Sequence, residues 1–244
     1  MVQGASGNNY WHWLFDILPK IEILHQNKYL KKINYFYIPN INNFVLETCK
    51  IFGIKESQLI NSQSYKHIQA DEIYAFEHLY LKKGMFQKQF KNIPVWITNF
   101  LNKKFLKFKK KFKCSDKVYI DRSDSKFSHF KIYNQKNIIE YLRKKGFKTY
   151  KLSKLNIFKQ IYLFNSAKVI LGLHGAGFAN LSFCKPKTKV YEILTKKESD
   201  RLAVKTICKH LKIKHTKIIT SSGKNQKNSL FNVFVDLNKI KKIF

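Results

Sequence analysis

The amino-acid sequence predicts an α/β protein with parallel β-sheet, and three observations predict that class. Short β-branched and aromatic runs alternate with helical patterns along the chain, which is typical of βα units whose strands lie parallel. The 244 residues are 44% hydrophobic, enough to bury a core as one large domain or two small lobes. A strand, a glycine-rich turn and a helical pattern follow one another near residue 175, as at the ligand-binding edge of open α/β sheets.

The first predicted element is a helix over residues 9–24. At about 100° per residue its apolar positions form one stripe, and Asn9, His12 and Asp16 share the opposite side. Three side chains that can hydrogen-bond therefore point in one direction. They form either a solvated polar face or the wall of a cleft, and the two Trp and one Tyr that crowd this turn favour the cleft.

The rest of the first half is predicted to consist of short βα elements. His67 and His78 lie there without the spacing of metal ligands, so we interpret both as ordinary surface or structural histidines. Strands are predicted at residues 32–38, 57–61 and 68–76, with a helix at residues 42–52.

A basic, aromatic helix is predicted over residues 93–113. It is either a linker between two lobes, with its Lys side chains in water, or a surface that lies on an anionic membrane. We place a domain boundary at its end. Residues 1–113 are predicted to form an N-terminal lobe, residues 114–225 a C-terminal lobe, and residues 226–244 a segment that packs back on the lobes.

The second half continues the βα alternation. A polar loop at residues 123–129 follows the first of its strands and ends at the same sheet edge as the glycine-rich turn. Strands are predicted at residues 118–122, 148–152, 169–171, 190–194 and 215–220, and helices at residues 134–145, 156–166 and 201–212.

The glycine-rich turn contains Gly172, Gly175 and Gly177, three of the nine glycines of the chain. Backbone amides at a helix start, approachable because glycine has no Cβ, form a site for phosphate. Tight packing is the alternative explanation for such a turn. Pro186 ends the helical pattern, and Glu192 is predicted near the carboxyl end of the next strand.

Composition restricts the classes of function. The net charge is +32, yet only 3 of the 47 basic residues are Arg. A protein that reads nucleic acid uses Arg for bidentate contacts, so this bias disfavours that class. It indicates either a coding preference for Lys or an anionic partner.

The four Cys have neither metal-ligand nor disulfide-framework spacing. No run of about 18 apolar residues could span a bilayer, so we expect a cytoplasmic protein.

Three separated segments resemble glycosyltransferase family 61. Members of that family carry Asn-x-x-His followed by Asp-x-x-Pro, a strand that ends in Ser-Arg, and an Ala-x-x-Ile-x-Gly-x-His-Gly-Ala-Gly-Leu-Ala-Asn segment followed by Val-x-Glu-Ile. The matching positions here are Asn9, His12, Asp16 and Pro19, then Arg122, then Ala167 to Asn180 with Val190, Glu192 and Ile193, and upstream Phe158-x-x-Gln160.

The chain departs from the family pattern in three places. Phe178 stands where Leu is usual, and Lys131 or Lys126 takes the place of a second Arg. Gln135 replaces the Glu of an Ile-x-Asn-Glu helix start. Family members also carry more sequence before the first motif, so we expect a truncated N-terminal lobe or a fragment.

The resemblance implies a GT-B architecture, with two Rossmann-like lobes facing a cleft, and a nucleotide-sugar donor held by the C-terminal lobe. Arg122 and Lys131 would neutralise the donor diphosphate, although Arg122 could instead pair with a neighbouring Asp. Glu192 would accept hydrogen bonds from the ribose. The other implied diphosphate-site residues are His174, Gly175, Ala176 and Gly177, with Asn9 and Asn180 in support. For His174, satisfying the backbone of the turn is the alternative role.

The resemblance also implies transfer of a sugar with inversion, which needs a base for the acceptor hydroxyl. His12, oriented by Asp16, is the first candidate, and Asp16 itself is the second. The chain has no Asp-x-Asp string, so neither a metal nor another cofactor is expected.

The expected partners are a nucleotide-sugar donor and a glycan or lipid-linked glycan acceptor. Bacterial members suggest cell-surface polysaccharide or lipopolysaccharide synthesis, with peripheral association at the inner face of an anionic membrane. Two other readings remain, an inactive carbohydrate- or membrane-associated scaffold of the same fold and a basic RNA-binding domain.

Overall fold

The computed structural model describes residues 8–80, 90–124, 130–222 and 231–244, and within these ranges the protein has the predicted mixed α/β class. Its strands are β1 (Phe36–Ile38), β2 (Leu59–Asn61), β3 (Lys117–Asp121), β4 (Phe130–Ile132), β5 (Lys148–Lys151), β6 (Val169–Leu173), β7 (Lys189–Thr195), β8 (Lys214–Ser222) and β9 (Phe231–Phe234).

The described strands form two sheets. Strands β1 and β2 pair in parallel. The other seven form one sheet in the order β4-β9-β8-β7-β6-β3-β5, parallel throughout except where β8 meets β9. The predicted parallel pairing is therefore confirmed, and strands β3, β6 and β7 lie side by side in it.

The helices cover both faces of the seven-stranded sheet, as parallel sheets require. The first runs through α1 (Tyr10–His12), a π-helical segment (Trp13–Ile17) and α2 (Leu18–Gln26). The others are α3 (Asn43–Ile51), α4 (Val95–Phe105), α5 (Gln135–Lys144), α6 (Ile157–Ser166), α7 (Ala203–His210) and α8 (Leu237–Lys241), with a 3₁₀ helix at Ala176–Phe183.

Side-chain alternation along the strands separates two apolar cores. Val118 and Ile120 of β3 face one core, which also contains the first helix, α3, α4 and α6. Tyr119 faces the other, together with α5 and α8. Neighbouring strand residues point to opposite faces, so residues before 113 pack against one face of the sheet. The division at residues 113 and 225 stays a prediction.

The first helix is buried on nearly all sides, so the side that carries Asp16 is not the solvated face that was the alternative to a cleft wall. Lys20 and Glu22 are 2% and 8% exposed, and Asp16 is 1% exposed. The surroundings of this helix include α3, where Trp13 Nε1 donates to the Thr48 hydroxyl, and the 3₁₀ helix, where the Tyr10 hydroxyl donates to Asn180 Oδ1. Helical spacing alone therefore does not mark a solvent-facing side here.

The π-helical segment has an identifiable cause in Pro19. Proline has no N–H to donate to a carbonyl four residues back, and its ring clashes with that carbonyl. The backbone bond just before it, from Leu18 N to Trp13 O, spans five residues instead of four. The wider turn lets the helix continue past the proline.

Several predicted elements differ from those observed. The strand at residues 68–76 is wrong, because no residue of that described segment is in a strand and Ile68 and Ile73 are 42% and 59% exposed. Alternating apolar residues form a strand only where a neighbouring strand and a core receive them. The long basic helix ends as α-helix at Phe105. The helix after the glycine-rich turn is 3₁₀, and β4 was not predicted.

The terminal segment extends the seven-stranded sheet. Strand β9 pairs with both β4 and β8, and Phe244 stacks edge-on against Phe147 and Tyr191. Within the part of the chain that the structure describes, no helix has the length and apolar character needed to cross a bilayer.

Candidate active site

Arg122 and the glycine-rich turn converge at the carboxyl edge of the sheet. Arg122 follows β3, and its Nη1 donates a hydrogen bond to the carbonyl oxygen of His174, which follows the neighbouring strand β6. Gly175 has extended backbone, with φ 164° and ψ −178°. A Cβ at Gly175 would overlap the guanidinium of Arg122. Glycine is needed here for close approach of another side chain, and the predicted convergence is observed.

The carboxylates beside Arg122 are held by other groups. Asp121 Oδ1 accepts hydrogen bonds from Ser123 N at 2.8 Å and Gln135 Nε2 at 2.7 Å. Among the described residues Arg122 forms no ion pair with Asp121 or Asp124. Burial lowers the pKa of the Arg122 guanidinium, although Arg stays protonated at neutral pH. The structure thus holds a permanent cation against a backbone carbonyl.

A cavity of about 210 Å³ opens beside Arg122. Its lining includes Arg122, Lys131 and Gln135 together with apolar residues of β3 and β6. Lys131 lies on β4, an element that sequence reasoning did not predict, and it lines the cavity. Lys126, the alternative to Lys131, lies outside the described residues. Two cations on one small cavity at a sheet edge suit an anionic ligand.

The turn itself offers backbone donors. The first hydrogen bond of its 3₁₀ helix runs from Phe178 N to Gly175 O at 3.0 Å. The amides of Ala176 and Gly177 precede that bond and so have no partner within the helix. Both amides lie within three residues after His174, whose carbonyl accepts a hydrogen bond from Arg122.

His174 and Glu192 form a buried pair, 12% and 1% exposed. His174 Nδ1 hydrogen-bonds to Glu192 Oε1, and His215 Nε2 lies 2.8 Å from Glu192 Oε2. Burial raises the pKa of the Glu192 carboxyl, but hydrogen bonds from the two imidazoles outweigh it and the pKa is lowered. Glu192 lies in the middle of β7 and not near its end. A ribose contact for Glu192 stays a prediction, and both oxygens already have imidazole partners.

Asn180 joins the turn to the first helix. It is fully buried, its Oδ1 accepts from the hydroxyl of Tyr10 at 2.7 Å, and its Nδ2 donates to Gln160 Oε1 at 2.9 Å. Tyr10 is two residues from His12. The bond therefore fixes the start of the first helix against the segment that carries Gly175 and Gly177.

The first helix presents a hydrogen-bonded cluster around Asp16. His12 Nδ1 lies 2.6 Å from Asp16 Oδ2, the hydroxyl of Tyr80 donates to Oδ1 at 2.6 Å, and His78 Nε2 lies 3.5 Å from Oδ2. The His12 side chain is 16% exposed, so it is not enclosed in apolar packing. Asn9 caps the helix, its Oδ1 accepting from Trp11 N at 2.9 Å.

The cluster keeps Asp16 ionised. Burial raises the pKa of this carboxyl, but hydrogen bonds from His12, His78 and Tyr80 outweigh it, and the pKa lies below its ordinary value. A carboxylate held in this way orients the imidazole of His12 and is itself a weak base.

Sequence reasoning missed four residues of these clusters. The sequence predicts His78 to be an ordinary histidine and gives no site role to Tyr80, His215 or Arg201, whose Nη1 lies 3.1 Å from His174 Nε2. Arg201 carried a usable signal, since it is one of only three Arg in the chain. Tyr80 and His78 carried none, because the loop that brings them to Asp16 has no periodic pattern. Among the described residues no group of three His, Cys, Asp or Glu side chains has a geometry that could hold a metal ion.

Comparison with known proteins identifies the family of the chain. No curated protein matches the chain. The family model of Glycosyltransferase 61 matches residues 10–191, which contain His12, Asp16, Arg122 and the whole glycine-rich turn and stop one residue before Glu192. That match covers most of the chain, so the protein belongs to glycosyltransferase family 61 and is a glycosyltransferase.

Proposed function

We propose that the protein transfers a sugar, with inversion, from a nucleotide-sugar donor to a hydroxyl of a glycan or lipid-linked glycan acceptor. The observation that carries the proposal is the contact of Arg122 with the His174 carbonyl and Gly175 beside a cavity that Lys131 also lines. Fixed cations and unpaired helix-start amides are the groups that stabilise a departing diphosphate.

In this proposal the donor diphosphate lies between Arg122, Lys131 and the amides of Ala176 and Gly177. A cavity of about 210 Å³ is smaller than pockets that enclose a whole drug-sized ligand, which are about 300–1,000 Å³. It would therefore hold only part of the donor. Arg is suited to this position because its planar fork matches phosphate oxygens. The fixed cations would serve where other transferases use a metal, so we propose no cofactor.

The reaction forms a bond between the acceptor oxygen and the anomeric carbon of the sugar, and it breaks the bond from that carbon to the diphosphate oxygen. The proton of the acceptor hydroxyl passes to the imidazole of His12, and the nucleoside diphosphate leaves as an anion held by Arg122. Asp16 holds His12 through Nδ1. Asp16 as the base is the weaker alternative, since its lowered pKa reduces its basicity.

We further propose a GT-B arrangement and a role in bacterial cell-surface polysaccharide or lipopolysaccharide synthesis at the cytoplasmic side of the membrane. The parallel β1-α3-β2 unit and the separate, mostly parallel seven-stranded sheet contribute to one apolar core, which is consistent with two Rossmann-like halves. A net charge of +32 and the exposed Trp96 and Phe108 near several Lys favour peripheral contact with anionic lipid.

Isothermal titration with nucleoside diphosphates tests the proposal. We expect Arg122→Ala to weaken binding of the preferred nucleotide about 10- to 100-fold, the loss expected for a hydrogen bond to a charged group. Arg143→Ala is the matched control, because Arg143 is an exposed Arg on α5 away from the cavity. His12→Asn should leave the dissociation constant unchanged and abolish sugar transfer.

Two results would contradict the proposal. Unchanged nucleotide binding by Arg122→Ala would remove the donor site. Nucleotide-sugar turnover that persists in His12→Asn would remove the base. Wild-type protein that binds none of the nucleotides and transfers no sugar would favour the inactive scaffold.

A further inference from the structure

Two of the three Arg residues in the chain contact the same residue, His174. Arg122 Nη1 donates to the backbone carbonyl of His174, and Arg201 Nη1 lies 3.1 Å from its ring nitrogen Nε2. In a chain with 44 Lys and 3 Arg, general enrichment in basic residues does not account for two guanidinium groups at one turn.

The direction of the hydrogen bonds determines the state of the His174 ring. Guanidinium nitrogens only donate, so Nε2 of His174 accepts from Arg201 and the ring proton lies on Nδ1. That proton is donated to Glu192 Oε1, while Glu192 Oε2 is held by His215 at 2.8 Å. The His174 ring is therefore neutral. The buried Glu192 carboxylate holds it through Nδ1, and its Nε2 orients Arg201.

The two guanidinium groups lie close enough to repel each other. Burial is the largest influence on the pKa of Arg122 and lowers it; Glu198, the next largest, raises it, while Arg201 lowers it and Asp124 raises it. Glu198 Oε1 pairs with Arg201 Nη2 at 3.1 Å. Among the described residues Arg122 has no such carboxylate partner. Two guanidinium groups that contact one residue form a paired cationic site that suits a phosphate.

We propose that Arg201 is a further phosphate ligand of the donor site, in addition to Arg122 and Lys131, and binds the terminal phosphate of a nucleoside diphosphate together with Arg122. This inference rests on the proposed function. Arg201 is 35% exposed, so an incoming ligand can reach it. Glu192 then acts through His174 as a positioning residue, which gives a role to its two imidazole contacts.

The inference has a consequence for selectivity. The terminal phosphate of a nucleoside diphosphate, which the two planar guanidinium groups would bind, is absent from the corresponding monophosphate. Loss of Arg201 should therefore weaken binding of a nucleoside diphosphate more than binding of the corresponding monophosphate. If Arg201 had only a structural role, its loss would change the binding of both ligands alike or of neither.

Titration of the full chain with inorganic pyrophosphate, UDP and UMP tests the inference. The main variant is Arg201→Gln, because Gln keeps a polar amide at this position but carries no charge. We expect it to bind pyrophosphate and UDP about 10- to 100-fold more weakly and to bind UMP with a smaller loss. Arg201→Lys, which keeps the charge and loses the fork, should fall between Arg201→Gln and the wild type.

The controls separate this inference from the proposed function. Arg143→Ala should bind pyrophosphate like the wild type, and thermal unfolding of each variant verifies that it is folded. If Arg201→Gln and Arg201→Lys bind pyrophosphate as tightly as the wild type while Arg122→Ala does not, Arg201 is no phosphate ligand and the proposed donor site stands. If Arg122→Ala also binds normally, both are wrong.

Discussion

Substitution of Gly175 by Ala tests the convergence on which the donor site depends. Gly175 has extended backbone that any residue adopts, so the substitution introduces little backbone strain. The added Cβ would, however, occupy the position of the Arg122 guanidinium. Three guanidinium atoms of Arg122 would overlap this Cβ. The Arg122 side chain must therefore move and give up its hydrogen bond to the His174 carbonyl.

The magnitude follows from the contacts that are lost. A hydrogen bond from a charged group contributes about 1.5–3 kcal/mol, and displaced Arg122 loses one such bond to His174 O. The same displacement removes its contact with a bound diphosphate, so nucleotide affinity should fall about 10- to 100-fold. In an Arg122→Ala background there is no guanidinium to displace, and Gly175→Ala should then change affinity less than about two-fold.

The assay is a double-mutant cycle of nucleoside diphosphate binding, measured by titration calorimetry on the wild type, the two single variants and the double variant. The expected coupling between the two positions is about 1.5–3 kcal/mol. Additive losses, with Gly175→Ala equally damaging in both backgrounds, would show that Gly175 acts independently of Arg122 and would refute the reasoning.

Two further predictions concern stability. Tyr10→Phe leaves the buried Oδ1 of Asn180 without its donor and should lower the free energy of unfolding by about 1–3 kcal/mol in urea, whereas Tyr37→Phe, which removes an exposed bond, should cost less than half as much. The pKa values of Asp16 and Glu192 are lowered by folding from 3.8 and 4.5, so their stabilisation is full above those values and lost as the pH falls further. Unfolding of Asp16→Asn should accordingly depend less on pH below about pH 4 than the wild type, and equal pH dependence would contradict this.

Local patterns predicted the donor side of the site well. The strand before Arg122 and the strand before the glycine-rich turn are both bounded by clear apolar runs. In parallel sheets, residues after neighbouring strands meet at one edge. The register places Ile120 beside Gly172, so Arg122 and His174 are equivalent positions on adjacent strands. The prediction that Arg122 and the glycine-rich turn meet required only that β3 and β6 pair in parallel.

The surroundings of Asp16 could not be predicted in the same way. Helical periodicity gives directions around one axis and says nothing about what lies in those directions. Tyr80 reaches Asp16 across 64 positions of sequence from a segment without secondary structure. A carboxylate predicted to face a cleft is therefore buried at 1% exposure. Glu192 was misplaced along its strand because β7 extends to Thr195.

The π-helical segment means that the spacing of the first motif is set by the path of the backbone as well as by chemistry. A residue with an amide hydrogen in place of Pro19 would let the backbone hydrogen bonds of this helix span four residues instead of five. The helical turns before and after Pro19 would then rotate relative to each other. His12 and Asp16, four residues apart, would stay neighbours in a regular α-helix, but both would turn about the helix axis relative to the residues after Pro19. A proline with no polar side chain thus sets how the acid–imidazole pair is oriented relative to the helix that follows it.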